Sequence, residues 1–237
     1  TDSSGSSNTM SISGSCLQTQ DNCSNNFCVI NPLYNQTTGQ GVGLAYGNTK
    51  CSYAPDASRS AFGSMAVNKG KFYWEVKLAN ATSMCAGIVN TSNWSDINGA
   101  SGYAFHDDAL NVGINSSGNV DSGGSASAYG ASLTTNDIVG IALDMDNKKL
   151  YFAKNGVWQN SSDPTSGSTG TGAASWTFRN TAYYAPAVRM RNGTQYEFNF
   201  GNGYFAGTAI SSAGTNASGH GTFEYDVPAG YTALCTK

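Results

Sequence analysis

Apolar and polar residues alternate with a period of two along much of this chain. Val139, Ile141, Leu143 and Met145 fall on one face of an extended segment, and Ile138, Gly140, Ala142 and Asp144 fall on the other. Asp146, Asn147 and Lys148 have turn chemistry, residues 150–153 return as a second strand, and Asn155-Gly156 favours positive φ. Residues 136–158 therefore read as a β-hairpin ending on Trp158. Its continuous apolar face requires a second sheet to cover it.

The same alternation places Phe72, Trp74, Val76 and Leu78 in a core against Tyr73, Glu75 and Lys77 on the opposite face. Residues 84–89 read as a buried strand. Shorter strands are expected at 103–106, 110–114, 176–178, 183–191, 195–200 and 222–225, with an edge strand at 27–33, where Pro32 holds Asn31 extended. Residues 115–119 and 191–194 carry turn residues. About a dozen short strands with regular turn signals predict an all-β, two-sheet antiparallel sandwich. Residues 1–26 are a Ser/Gly/Asn-rich arm, residues 27–205 form the sandwich, and residues 206–237 are a C-terminal extension, so the sandwich is expected to carry extended arms at both ends. The low-complexity stretch 159–174 is long for an internal loop, a length usually associated with function or mobility.

Composition narrows the function. Charged residues make up 11% of the 237, with 12 Lys and Arg against 15 Asp and Glu, so no basic field exists to hold a nucleic-acid backbone. No run of 18 apolar residues predicts a membrane span. Six cysteines (Cys16, Cys23, Cys28, Cys51, Cys85 and Cys235) permit disulfides in an oxidising setting, with the pairing left open. The Cys16, Cys23 and Cys28 cluster has no C-x2-C knuckle, and only His106 and His220 are on hand to complete a zinc site, so no metal is expected there. Asp107, Asp108 and Asp121 lack the spacing of a calcium loop.

Catalysis is not expected either. Only three glutamates occur (Glu75, Glu197 and Glu224), and no Glu-x-Asp-x-Glu strand aims two carboxylates at one bond. Asp144 and Asp146 lie two apart, but Asp146 falls in the hairpin turn. His106 reads as a strand-end histidine and His220 as a residue of a glycine-rich loop. Nucleophile-elbow, phosphate-loop and His-Glu-x-x-His patterns are all missing, and no cofactor is implied.

Four stretches in order resemble the SPRY (B30.2-like) family. They are Gly70-Lys71-Phe72-Tyr73-Trp74-Glu75-Val76, the hairpin over 136–158 preceded by Tyr129-Gly130, the strand Tyr183-Tyr184-Ala185-Pro186-Ala187-Val188, and Phe198-Asn199-Phe200-Gly201. Together they span about residues 60–205. The resemblance implies a concanavalin-like jelly roll that binds peptides or proteins through the loops at one end. On that reading the candidate ligand-binding residues are Trp94, Tyr103, His106 and Trp158, aromatic groups suited to anchoring a peptide or sugar.

The flanks carry a second resemblance. Residues 27–33 with their F-x-x-x-N-P-L pattern, residues 155–164, and the ending 228–237 are similar to segments that bracket SPRY domains in bacteriophage structural proteins. This implies a virion component: a tail or head fibre, a decoration protein or a receptor-binding module. Its partners would be other virion proteins or a host-surface protein or glycan, and it would be a homo-oligomer. The competing expectations are a SPRY adaptor that binds a short peptide through its end loops, and a secreted carbohydrate-binding module.

Overall fold

The computed structural model describes residues 25–33, 41–93 and 110–237, and these form a two-sheet antiparallel sandwich. The larger sheet contains β1 (Gly43–Ala45), β2 (Lys50–Tyr53), β4 (Lys71–Asn80), β9 (Ile138–Asp144), β10 (Lys149–Lys154), β11 (Val157–Trp158), β13 (Thr194–Asn199) and β16 (Thr232–Ala233). Its order is β1-β2-β13-β4-β9-β10-β11. The smaller sheet contains β3 (Arg59–Phe62), β5 (Cys85–Asn90), β6 (Val112–Asn115), β7 (Asn119–Ser122), β8 (Ser125–Ala128) and β12 (Tyr184–Met190), in the order β3-β12-β5-β6-β7-β8. A separate short pair, β14 (Tyr204–Phe205) and β15 (Thr208–Ala209), follows the sandwich.

Alternation along β4 and β9 sets the core. Trp74 lies opposite Ile141, and Val76 opposite Val139, all facing the smaller sheet and fully buried. Leu78 is buried beside them, whereas Phe72 is partly covered and packs against the core from its edge. From the smaller sheet come Ala86, Ile88, Val112, Ile114, Val120, Tyr184, Val188 and Met190. Tyr196 of β13 ties the two layers together. Its hydroxyl accepts a hydrogen bond from Cys85 N at 2.9 Å and donates to Arg189 O at 2.6 Å. Tyr196→Phe is expected to leave that buried N–H without an acceptor and to cost about 1–3 kcal/mol, read as a lower denaturant midpoint with an unchanged slope.

Part of the opposite face of the larger sheet is buried as well, which its alternation does not predict. Tyr73, Glu75, Gly140, Ala142, Asp144 and Tyr151 occupy it, and the chain after β13 folds back over them. Phe223 packs edge-on against Tyr73 with ring centroids 5.1 Å apart. The Glu75 carboxylate accepts from Glu224 N at 2.9 Å, Tyr225 N at 2.8 Å, Asn199 Nδ2 at 3.2 Å and the Tyr73 hydroxyl at 3.1 Å. Burial pushes its carboxyl up to about 7 against the pull of those donors. Beyond this clamp, β16 runs parallel to β4 at Phe72 and Tyr73, continuing the edge that β13 leaves at Glu75. The C-terminal extension is thus a cover, not the extended arm expected from its composition. Phe223, Val227, Tyr231, Ala233 and Leu234 supply the apolar area that holds it down.

Several other expectations change. Residues 27–33 form no continuous strand; Phe27 bridges Cys235 and Ile30 bridges Gly63, so this segment is shared between the C-terminus and the start of the smaller sheet. Residues 176–178 are not a strand, because Trp176 and Phe178 turn onto Tyr184 with centroids 4.9 and 5.5 Å away. Residues 222–225 are not one either, since their N–H groups at 224 and 225 go to Glu75. The stretch 159–174 contains a 3-10 segment, Pro164–Thr169, capped by Asp163, whose carboxylate accepts from Thr165 N at 2.8 Å. The Tyr231 hydroxyl donates to Pro164 O, joining that segment to the cover.

The disulfide expectation is not met for four cysteines. Cys28, Cys51, Cys85 and Cys235 are free, the first three being buried among apolar groups with no second sulfur bonded to them. Burial pushes the Cys28 thiol up to about 11 and raises Cys51 and Cys85 further. Cys16 and Cys23 lie outside the described residues, as does the strand expected at 103–106. Alkylation of the native protein with iodoacetamide at pH 8, mapped peptide by peptide, should label the half-buried Cys235 well before Cys28, Cys51 or Cys85.

Candidate functional site

Trp158, the one described member of the expected aromatic set, does not project from a loop. Its partner across β10 is Ala153, which puts it on the covered face of the larger sheet, with its ring edge-on to Tyr73 at 6.3 Å. Neighbouring Val157 is the exposed residue of that pair. Trp158 thus serves the layer beneath the cover, the packing role natural to a large aromatic on a short edge strand. Trp94, Tyr103 and His106 lie outside the described residues.

The carboxylates singled out in the sequence serve the hairpin. Asp144 is buried and pairs with Lys71 Nζ at 2.9 Å while accepting from Asn147 N and Nδ2. Desolvation opposes its ionisation, but these partners hold it below the usual aspartate range. Asp146 accepts from Gly70 N. Both groups are satisfied locally and aim at different partners. His220 sits in the turn closed by Asn216, whose amide donates to the backbone oxygens of His220 and Gly221. Among the described residues, no cluster of three His, Cys, Asp or Glu side chains is placed to hold a metal.

What does gather at one place is a groove of about 260 Å³ at the margin of the smaller sheet. Val120 and Ser122 of β7, Ser125 and Ser127 of β8, and Ser175, Trp176 and Thr177 line it. None of these side chains is ionisable. One wall is the inner surface of β7 and β8 where it runs out beyond the core; Ser127 stands opposite Val120, and Ser125 opposite Ser122. The other wall is the segment after residue 174, fixed by aromatic packing. Trp176 meets Tyr184 and Phe178 edge-on, Phe178 stacks on Tyr184, and Lys148 Nζ lies 4.8 Å above the Phe178 ring. Arg179 N donates to the Tyr184 hydroxyl, closing the turn.

All four residues of β8 are exposed, and among the described residues β8 is the last strand of its sheet. It carries no charge, no proline and no bulge, the usual protections of such an edge. The sequence held a signal for this element in Gly123-Gly124, a two-residue loop whose glycines adopt φ of +55° and +76°, as a tight hairpin turn requires. Its flanks, rich in Ser and Ala, lack the β-branched residues that mark strands, and so the stretch reads as a loop.

Among the described residues, the β-sandwich thus sets an uncharged groove beside an exposed strand edge. The SPRY domain model matches residues 71–203, more than half of the chain, and the protein belongs to the SPRY family. Its fold is similar to that in the crystal structure of the SPRY domain of human HERC1, with a TM-score of 0.55 at 16% sequence identity, covering 71% of this chain and 96% of that one. No curated protein matches the sequence. SPRY domains are generally non-catalytic modules for protein–protein interaction.

Proposed function

We propose that this protein is a non-enzymatic binding module that engages a protein partner at the groove between β8 and residues 175–177. The observation that carries this reading is the open, uncharged edge of β8 beside a walled groove, in a molecule whose C-terminal segment covers the Tyr73–Glu75 part of the other broad face. The setting we propose is a virion, with the module acting in a homo-oligomer on other particle proteins or on a host surface. Its support is the resemblance of residues 27–33 and 228–237 to flanks of phage structural proteins, two segments that meet at the Phe27–Cys235 bridge.

Selection of a random peptide display library on the immobilised protein tests the site. Enriched peptides should bind Ser127→Lys at least tenfold more weakly while binding Val157→Lys unchanged; equal binding to both variants overturns the groove assignment. Light scattering tests the assembly, and a monomer at all concentrations removes the homo-oligomer from the proposal.

A further inference from the structure

We infer that the groove takes its ligand as an added β-strand: an extended, uncharged peptide segment of a partner protein, hydrogen-bonded through its main chain to Ala126 and Ala128. This rests on the proposed reading of the groove as the contact site and specifies what enters it.

The register of the β7–β8 hairpin determines which backbone groups are free. Ser122 and Ser125 flank the two-residue turn, so they exchange both hydrogen bonds of that pair. Alternation makes Asp121 and Ala126 a non-bonded pair, Val120 and Ser127 a bonded pair, and Asn119 and Ala128 a non-bonded pair. The N–H and C=O groups of Ser125 and Ser127 therefore point inward to β7. Those of Ala126 and Ala128 point outward from the open edge, where no further strand is paired among the described residues. The side chains alternate the other way: Ser125 and Ser127 project into the groove, and the alanine methyl groups lie on the far face.

An incoming strand would meet two kinds of surface at once. Its main chain would find the donors and acceptors of Ala126 and Ala128, and every second side chain would enter a slot edged by serine and threonine hydroxyls and the Trp176 ring. Because that slot has no ionisable lining, a charged side chain entering it would lose hydration with no opposite charge to replace it. Uncharged small or β-branched side chains carry no such cost. Main-chain pairing supplies affinity, and the alternate pockets supply selectivity.

The probe is a capped heptapeptide of alternating serine and valine, together with the same peptide N-methylated at every residue so that neither edge can donate, added to the full chain and followed by amide NMR and hydrogen exchange. The unmethylated peptide should slow exchange at least tenfold at Ala126 and Ala128, and leave Ser125 and Ser127, already bonded to β7, little changed. The methylated peptide should not bind. Ala126→Pro, which removes an N–H that the hairpin does not use, should weaken binding at least tenfold with the rest of the spectrum unaltered, whereas Ala126→Val should bind as the wild type does.

Shifts at Ser127 and Trp176 without protection of Ala126 and Ala128 would overturn strand addition while leaving the groove as the contact site. Absence of any shift at groove residues with millimolar peptide would overturn it too, and the display-selected peptides then decide separately whether the groove binds at all. Protection of the same two amides that grows with protein concentration in the absence of peptide would show the occupant to be a second copy, overturning the assignment to a partner segment.

Discussion

Glu75→Ala is expected to loosen the C-terminal cover and lower global stability by about 3 kcal/mol at pH 7, a fall in Tm on the order of 10 °C for a chain of this length. Two effects oppose each other. Removing the carboxyl relieves the cost of burying a charge, but it also strands Glu224 N, Tyr225 N and one N–H of the Asn199 amide, whose other N–H keeps Thr222 O. Each orphaned donor costs about 1–3 kcal/mol, and three of them outweigh the relief. The Tyr73 hydroxyl can rotate and is the least affected. Exchange of the 224 and 225 amides should quicken before that of the β4 and β9 ladder, because the cover opens first.

The same group predicts a pH dependence. Burial holds the Glu75 carboxyl at about 7 against an ordinary value of 4.5, so between these values the folded chain retains a proton that the unfolded chain has released. Stability is therefore fullest below the unfolded value and is lost as pH rises through 7, by about 3 kcal/mol in all. Asp137 and Asp144 act oppositely. Their partners hold them below 3.8, so their contribution is present above that value and lost in stronger acid. The wild-type Tm should peak near pH 5 and decline toward pH 8, and the decline should vanish in Glu75→Gln. Parallel profiles for the two proteins across that range would refute the assignment.

Gly87→Ala is expected to cost more than about 3 kcal/mol and to abolish the groove. Gly87 sits in β5 opposite Gly113 of β6, and a Cβ there would lie 2.0 Å from Val112 O and 2.5 Å from the Gly113 Cα. Those atoms are backbone, so they can yield only by separating the two strands. The separation frees β6, β7 and β8 together, since they reach the rest of the sheet through β5. Gly43→Ala is the control: a Cβ there meets the Ser52 hydroxyl, a group that can turn aside. Urea denaturation of both variants checks the magnitude. Loss of peptide-induced shifts at Ser127 in a still-folded Gly87→Ala protein would show the groove's dependence on β5.

The sandwich was legible wherever one face of a strand is apolar and the other polar. Trp74, Val76 and Leu78, and Val139 through Met145, declare their face by alternation alone, and the ordered SPRY-like stretches agree with it. The second burial layer was not legible. Tyr73, Glu75 and Asp144 read as a solvent face because polarity in sequence does not reveal that backbone N–H groups 149 and 150 residues away will satisfy a carboxylate. The open edge was not legible for the mirror-image reason. Aromatic residues drew the expectation, yet Trp158 is needed for packing, whereas the open edge consists of Ser and Ala, residues whose side chains announce little. An edge binds through its main chain, and main-chain exposure is a property of topology.

The pairing of residues 26–28 with residues 234–236 has one more consequence. Cys28 N donates to Leu234 O and Thr236 N to Asn26 O, so the two ends of the described sandwich lie side by side at one spot. A unit with such adjacent ends can be set into a surface loop of a host polypeptide as a cassette without prying the host apart. Tension applied at those ends would first unzip this short clasp, leaving the two sheets unstretched until it had parted.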